Sequence, residues 1–372
     1  MNQNQKPFAD IIHAEVGQDI TSRIAAEPGR GLVIWWNGGF PVGRRWFYDH
    51  RLWGAEPIFP PPERLPPSPL RVSLVICTRD RPEALRRCLT SLADQVRKPD
   101  EVIVVDNASL TPETRAVAEA FGTVHVREDR PGLDIARNTG ARTARYDLVA
   151  YTDDDTELHP LWLDQLCAGF TDDRIMAVTG LVLPARLDTE AQWLFERYFT
   201  FTRGFAPFRF DTAWFNRTRP PWCPAWEVGA GASMAFRREI FERIGYFDER
   251  LDVGASGCSG DSEFWNRILA AGHDCLFQPT ALLYHHHRED LPGLFRQVEG
   301  YMSGHTSSLL VQYERSRDRR NLARVWFHLP LYLIGKRLGR IGRRRLIEDR
   351  ILSHEIRGAI AGVRYYFRAR RP

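Results

Sequence analysis

The chain has 372 residues, of which 43% are hydrophobic and 26% charged, a composition typical of globular proteins with a sizeable core. No stretch approaches the roughly 18–20 apolar residues of a membrane-spanning helix, the N-terminus has no signal-peptide pattern, and the six cysteines form no CxxC pair, which argues against a disulfide framework or a zinc site. The net charge of +4 is uneven, because residues 315–372 carry 17 Lys and Arg against 4 Asp and Glu. This tail predicts an anionic partner.

We predict that residues 1–70 form an N-terminal extension. Residues 33–36 and 45–48 suit two strands of a hairpin, since Asn37, Gly38 and Gly39 between them tolerate positive φ. Residues 57–69 are rich in proline and predict an extended linker. The extension therefore has a small β element of its own.

Residues 71–290 show strands that alternate with helices. Apolar runs at 72–77, 102–105, 124–126 and 148–152 are separated by segments with helical spacing. This order predicts a Rossmann-like, doubly wound α/β sheet. Further along, we expect loops over 203–227, a helix over 261–272, and short strands at 276–278 and 281–284.

Polar side chains follow the predicted strands of this sheet, at the edge where doubly wound sheets bind ligands. Asp153, Asp154 and Asp155 end one strand, and three adjacent carboxylates favour a hard divalent cation with phosphate oxygens. The same run could instead be a solvated acidic turn. Thr78, Arg79, Asp80 and Arg81 after the first strand suit a nucleotide base or a diphosphate; a charged turn is the alternative. Asp106 ends the second strand and could accept from a base or a ribose, or cap the next helix.

Three further positions carry chemistry in this sequence. Arg137 could reach a phosphate. Asp261 opens a helix, where it could cap the helix or act as a general base that removes a proton from an acceptor hydroxyl. If a strand continues through the three consecutive histidines, His285 and His287 share one face, and one of them could ligate a metal. A chance surface run of histidine is the alternative.

These motifs, in this order, resemble family-2 glycosyltransferases of GT-A fold. The residues that carry the resemblance are VSLVICTRD at 72–80, VVDNAS at 104–109, RNTG at 137–140, the three aspartates at 153–155 and Gly260-Asp261. The resemblance covers about residues 70–290. It implies a mixed doubly wound sheet, an inverting displacement at a UDP-, GDP- or dTDP-sugar, and a Mg²⁺ or Mn²⁺ ion.

The resemblance also implies roles for single residues. Thr78, Asp80 and Asp106 would line the nucleoside pocket, with Arg79 and Asp154 as further donor contacts. Arg137 would lie near the donor diphosphate and Asp153 near the ribose. Asp155 would hold the metal together with His285 or His287, and Asp261 would be the base. Gly260 departs from the family, which has a Glu there beside the acceptor.

The remaining predictions concern partners and location. We expect a glycan or lipid-linked acceptor, no nucleic acid, and a cytoplasmic protein. Residues 291–372 are predicted to be helical and basic, and they could either attach to the inner membrane face or cap the catalytic domain. The aromatic and apolar residues Trp326, Phe327, Leu329, Leu331, Tyr332, Leu333 and Ile334 precede the cations Lys336, Arg337, Arg340 and Arg343–Arg345. A nucleotidyltransferase and a non-catalytic nucleotide-sugar-binding protein remain open as alternative functions.

Overall fold

The computed structural model describes residues 7–26, 28–54, 57–218, 223–252, 255–339 and 346–369. Its strands form two sheets, one of four strands near the N-terminus and one of nine strands behind the predicted polar clusters. A group of helices follows the second sheet. The described strands, in chain order, are β1 (Asp10–Glu15), β2 (Arg30–Asn37), β3 (Phe40–Tyr48), β4 (Arg51–Trp53), β5 (Val72–Thr78), β6 (Glu101–Asn107), β7 (Val124–Glu128), β8 (Leu148–Asp153), β9 (Thr156–Leu158), β10 (Ile175–Pro184), β11 (Phe208–Phe210), β12 (Ser233–Arg237) and β13 (Asp274–His285).

The helices cover both faces of the large sheet and then continue to the end of the described chain. The described α-helices are α1 (Thr21–Ile24), α2 (Pro82–Leu92), α3 (Glu113–Ala120), α4 (Leu133–Thr143), α5 (Trp162–Ala168), α6 (Glu190–Tyr198), α7 (Thr212–Thr218), α8 (Glu239–Ile244), α9 (Gly260–Ala270), α10 (Leu291–Ser316), α11 (Arg319–Ala323), α12 (Leu329–Leu338) and α13 (Leu346–Ala369). Short 3-10 helices lie at Ala225–Val228 and Glu249–Leu251, and a π-helical turn at Arg324–His328.

The N-terminal sheet has the order β1-β2-β3-β4 and contains the predicted hairpin. Strands β2 and β3 are antiparallel and meet at Gly38 and Gly39, whose φ angles are +62° and +82°. Glycine adopts such angles without a steric cost, which is why the chain reverses here. The proline-rich residues 57–69 form no regular secondary structure, as predicted.

The large sheet has the order β11-β13-β10-β12-β8-β5-β6-β7, and β9 pairs with β13. Strands β8, β5, β6 and β7 are parallel to one another, whereas β12 runs antiparallel between β8 and β10. Strand β5 is buried throughout because helices cover both faces. The predicted mixed, doubly wound α/β fold is confirmed, and the carboxyl ends of β5, β6 and β8 lie at one edge.

Two details differ from the sequence-based expectation. The two short strands expected at 276–278 and 281–284 are one strand, β13, with an irregularity where Gly180 faces Gln278 and Leu181 faces Leu282. Pro279 breaks the apolar pattern there but only interrupts the pairing. The segment 203–227 contains β11 and α7 besides loops, because aromatic side chains such as Phe210 and Trp214 are buried.

The C-terminal helices pack closely on one another. The main chain of α10 approaches Gly358 and Gly362 of α13, where a Cβ atom would lie 2.3 Å from Glu299 O and 2.2 Å from Ser303 O. Ser307 Oγ donates to Gly362 O at 3.0 Å. Glycine thus sets the close approach, and α10 brings residues of this helical region to the edge of the large sheet.

Candidate active site

A cavity of about 1270 Å³ opens at the carboxyl ends of β5 and β8. One end of the cavity is formed by the predicted donor residues, and the other end by the C-terminal helices. The donor end includes Thr78, Arg79, Arg81, Asn107, Arg137, Asp153, Asp154 and Asp155, whereas the far end includes Arg203, Trp226, Gln297, Tyr301, His305, Arg324, Tyr332 and Lys336. Apart from Asn107, the residues of the first set were candidates from the sequence, and the fold adds the second set.

The carboxylates after β8 form a group that fits a divalent cation. Ligand atoms of Asp153, Asp155 and His285 all lie within 4.8 Å of one another. Asp155 lies in the loop after β8, and His285 is the last residue of β13. The two residues come close because β9, which follows this loop, pairs with β13. Two carboxylates and an imidazole are donors that Mn²⁺ and Mg²⁺ accept. The structure therefore brings the predicted Asp155 and His285 together.

Arg81, the last residue of the predicted cluster at 78–81, supplies positive charge to this group. Its guanidinium donates to Asp154 Oδ1 at 2.6 Å and to Asp155 Oδ2 at 2.7 Å. Thr78 Oγ1 donates to Asp154 Oδ2 at 2.7 Å. Asp154 is thus held by the protein itself, which makes it a structural partner of Thr78 and Arg81. In the sequence, Arg81 stands two residues after Arg79 and directly before α2.

Asp154 and Asp155 differ in their acidity. Burial and the charge of Asp155 raise the pKa of Asp154 to about 7, although Arg81 opposes this. The pKa of Asp155 lies far below its ordinary value, because contacts with His285 and Arg81 outweigh its burial. Asp155 is therefore ionised, as a carboxylate that binds a metal ion must be.

His287, the other histidine predicted as a candidate metal ligand, lies behind His285. Among the described residues His287 is not part of the metal-ligand group. Its Nδ1 lies 3.0 Å from His285 Nδ1, and its Nε2 lies 3.0 Å from Glu196 Oε2. Both ring nitrogens are thus occupied by side chains, which leaves His285 as the histidine that faces the carboxylates.

Arg137 and Asp261 both lie beside Gly231. Arg137 is 4% exposed, and its guanidinium lies 3.1 Å from Asp134 Oδ1 and 3.8 Å from Asp153 Oδ1. A Cβ atom on Gly231 would lie 2.7 Å from the Arg137 guanidinium and 2.8 Å from Asp261 Oδ2. The absence of a side chain at Gly231 therefore leaves room for both groups, which line the same cavity.

Asp261 lies in the first turn of α9 and lines the cavity. The residue that precedes this helix is Ser259, so Asp261 is not its N-cap. Asp261 Oδ1 accepts from Ser262 N at 2.7 Å, which fixes the direction of the carboxylate. This placement is compatible with the predicted role as a base.

Asp134 fills the space beside Gly260. A Cβ atom at position 260 would lie 1.8 Å from Asp134 Oδ2, so a side chain there would displace the Asp134 carboxyl group. Burial raises the pKa of Asp134 to about 8, although Arg137 opposes the shift. The resemblance implies a carboxyl group at position 260, and in this structure the carboxyl group of Asp134 from α4 lies beside that position. No motif in the sequence pointed to Asp134.

The other predicted donor residues lie at different depths. Arg79 is on the cavity wall and half exposed. Asp106 is 3% exposed and accepts from His125 and Arg127, while its neighbour Asn107 reaches the cavity. Asp80 Oδ1 accepts from Leu110 N at 2.6 Å, which ties the loop after β5 to the loop after β6. Asp80 and Asp106 are thus not among the cavity-lining residues in this structure.

The far end of the cavity offers unused hydrogen-bonding atoms. Arg203 Nε and Gln297 Oε1 are buried and have no hydrogen-bond partner among the described residues. Half-buried Trp226 packs edge-on against His305, with ring centroids 5.3 Å apart. An aromatic surface beside unpaired polar atoms can bind a polar molecule with an apolar face, such as a sugar ring. Sequence reasoning had only the aromatic segment 203–227 as a signal for this region.

The structure and the sequence were each compared with known proteins. The structure resembles that of a mannosyltransferase from Pyrobaculum calidifontis solved with GDP-Man and Mn²⁺, with a TM-score of 0.53 and 18% sequence identity over 80% of this chain and 89% of that chain. At that identity the likeness shows the fold, which is the GT-A glycosyltransferase fold. The sequence comparison adds that residues 73–245 match the model of Glycosyl transferase family 2.

The curated relatives share only part of their length with this chain. The O-antigen biosynthesis protein RfbC of Myxococcus xanthus is 30% identical over 58% of this chain and 17% of its own length. The glucosyl-dolichyl phosphate glucuronosyltransferase of Haloferax volcanii is 24% identical over 48% of this chain and 56% of its own length. The chain thus spans less than two thirds of these relatives.

Proposed function

We propose that this protein is a metal-dependent, inverting glycosyltransferase that moves a sugar from a nucleotide-sugar donor to a hydroxyl group. The observation that carries the proposal is one cavity that joins the Asp153–Asp155–His285 group, Arg137 and Asp261. The family-2 match and the relatives that are named as glycosyltransferases support it. No feature of the described residues favours a nucleotidyltransferase over this function.

Different residues of the cavity act on the leaving group of the donor and on the attacking hydroxyl of the acceptor. Asp153, Asp155 and His285 would hold the cation, which when bound neutralises charge on the diphosphate leaving group. Arg137 adds a fixed positive charge beside Asp153. Asp261, which also lies beside Gly231, accepts the proton of the attacking hydroxyl. A base that faces the leaving group across the sugar gives inversion by direct displacement.

The acceptor enters from the far end of the cavity in this proposal. Arg203 Nε–H can donate to an acceptor hydroxyl and Gln297 Oε1 can accept from one. Trp226 offers an aromatic face to a sugar ring. These groups support a glycan or lipid-linked acceptor, in keeping with the lipid-linked sugar in the name of the Haloferax relative.

A donor screen tests the proposed function. We expect UDP-, GDP- or dTDP-sugar to raise the melting temperature by several degrees in the presence of Mn²⁺, since a ligand at 100 times its Kd adds about 2.7 kcal/mol. Chelator should remove most of the shift, and ATP serves as the control. No stabilisation by any sugar nucleotide would contradict the proposal. Pyrophosphate as the released product, instead of a nucleoside diphosphate, would favour a nucleotidyltransferase.

The helical region beside the cavity is proposed to contact anionic membrane lipid. None of the described helices is long and apolar enough to cross a membrane. However, several apolar side chains of 326–338 project into solvent, with Phe327 66%, Leu331 64% and Leu338 59% exposed, whereas the predicted interface residues Leu329 and Leu333 are buried. Apolar residues among cations are typical of helices that lie in the membrane interface. Arg340 and Arg343–Arg345 of the predicted basic cluster lie outside the described residues.

Liposome co-sedimentation tests this membrane contact with the full chain. Phe327→Glu combined with Leu331→Glu should greatly reduce binding to vesicles that contain phosphatidylglycerol, because both substitutions place charge in the apolar face. Leu110→Glu is the matched control, as Leu110 is 87% exposed on the loop after β6. Equal sedimentation of the double variant and the control would discard the membrane role.

A further inference from the structure

A continuous row of buried polar groups connects the N-terminal sheet to the metal-ligand group. Arg44 Nη1 lies 2.5 Å from Glu196 Oε1, and Glu196 Oε2 lies 3.0 Å from His287 Nε2. The two histidines meet at their Nδ1 atoms, 3.0 Å apart, and His285 Nε2 lies 3.2 Å from Asp155 Oδ1. Each of these five residues is less than 10% exposed. The row therefore crosses the interior without a solvent-exposed member.

The chemistry of the row allows one arrangement of protons when His285 Nε2 binds a cation. A guanidinium can only donate, and an ionised carboxylate can only accept. Glu196 between Arg44 and His287 hence requires a proton on His287 Nε2. A neutral His287 then has a lone pair on Nδ1, so His285 must donate from its own Nδ1. The lone pair of His285 is left on Nε2, which faces Asp155.

We propose that Arg44, Glu196 and His287 are positioning residues that fix the tautomer and ring orientation of His285 for a divalent cation. The inference rests on the proposed metal-dependent function. Metal-bound histidines commonly donate their second ring nitrogen to another group, and loss of such partners weakens metal binding about 10–100-fold. Here the partner is a second histidine, itself held by a carboxylate and an arginine. The N-terminal sheet thereby sets the affinity of a site that lies on the catalytic sheet.

The buried position of the row argues against a role in stability alone. Burial of a charged pair such as Arg44 and Glu196 is costly, and apolar residues of similar volume often stabilise a core as well. Packing alone would also not require two imidazole rings with nitrogens aligned end to end. Phe195 and Phe201 pack on His287 and already supply apolar contact there, with ring centroids 4.5 Å and 6.0 Å away.

The test measures Mn²⁺ affinity on the full chain by electron paramagnetic resonance of free Mn²⁺, without sugar nucleotide. We expect Glu196→Gln to weaken Mn²⁺ binding about 10–100-fold. A neutral amide can donate as well as accept, so His287 no longer needs its proton on Nε2 and His285 loses its fixed tautomer. Arg44→Lys keeps a cation beside Glu196 and should retain affinity close to that of the wild type.

The structural control is Thr202→Val, which removes a buried hydrogen bond to Val182 O near Glu196 but leaves the row intact. It should reduce the melting temperature without a loss of Mn²⁺ affinity. Nitrogen-15 spectra of labelled histidine with Mg²⁺ bound give a second readout: wild type should show His287 with its proton on Nε2, and Glu196→Gln a mixture of tautomers for His287. Unchanged affinity and an unchanged tautomer in Glu196→Gln would overturn the inference, as would the absence of Mn²⁺ binding to the wild type. If the wild type does not bind Mn²⁺ but still binds the sugar nucleotide in the presence of chelator, the protein would be a transferase that needs no metal.

Discussion

Replacement of Asp155 by alanine is expected to abolish Mn²⁺-dependent donor binding. The carboxylate of Asp155 lies between Arg81 and His285 and belongs to the group whose ligand atoms lie within 4.8 Å of one another. Since even the partners of metal ligands contribute about 10–100-fold to affinity, loss of a ligand should cost at least about 100-fold. Isothermal titration of Mn²⁺, and of the sugar nucleotide with and without Mn²⁺, measures the effect.

Asp173→Ala is the matched control for Asp155→Ala, because the side chain of Asp173 is fully exposed on the loop before β10. It should bind donor and metal as the wild type does. Arg81 remains bonded to Asp154 when Asp155 is lost, so the loop after β5 should keep its conformation. If Asp155→Ala bound the sugar nucleotide equally well with and without chelator, Asp155 would not be a metal ligand.

The fold was largely predictable, because local patterns decide most of it. Buried parallel strands are apolar along their whole length, and each was followed by a segment with helical spacing. The hairpin at Gly38 and Gly39 and the start of α2 at Pro82 carry equally local signals. The continuous strand β13 was missed, since Pro279 breaks the apolar pattern while pairing with β10 resumes beyond it.

The candidate site was predictable only where its residues follow strands directly. Asp153, Asp154 and Asp155 stand at the end of β8, so topology alone brings them to the ligand-binding edge. Glu196 and Arg44 could not be found in this way. Their contacts join residues 91 and 152 positions apart in the chain, through side chains whose direction depends on packing. The same holds for Asp134, which reaches the space beside Gly260 from another helix.

Asp261→Asn should reduce sugar transfer about 10²–10⁴-fold and leave donor binding intact. The amide cannot take up a proton from the acceptor, but its oxygen still accepts from Ser262 N, so the side chain keeps its direction. The rate is measured as nucleoside diphosphate release with an acceptor that supports wild-type turnover, and donor affinity by titration. Ser262→Ala is the control, because it keeps the backbone N–H and removes only a second contact of 3.3 Å.

Asp134 provides a second carboxyl group beside Asp261, so the experiment must decide which of the two is the base. Asp134 has its pKa raised to about 8 by burial, so it could in principle exchange a proton near neutral pH. However, it bonds to Arg137 and is not among the cavity-lining residues. Asp134→Asn should therefore affect transfer mainly through the position of Arg137, with weaker donor binding. A wild-type rate in Asp261→Asn, together with loss of transfer and unchanged donor affinity in Asp134→Asn, would move the role of base from α9 to α4.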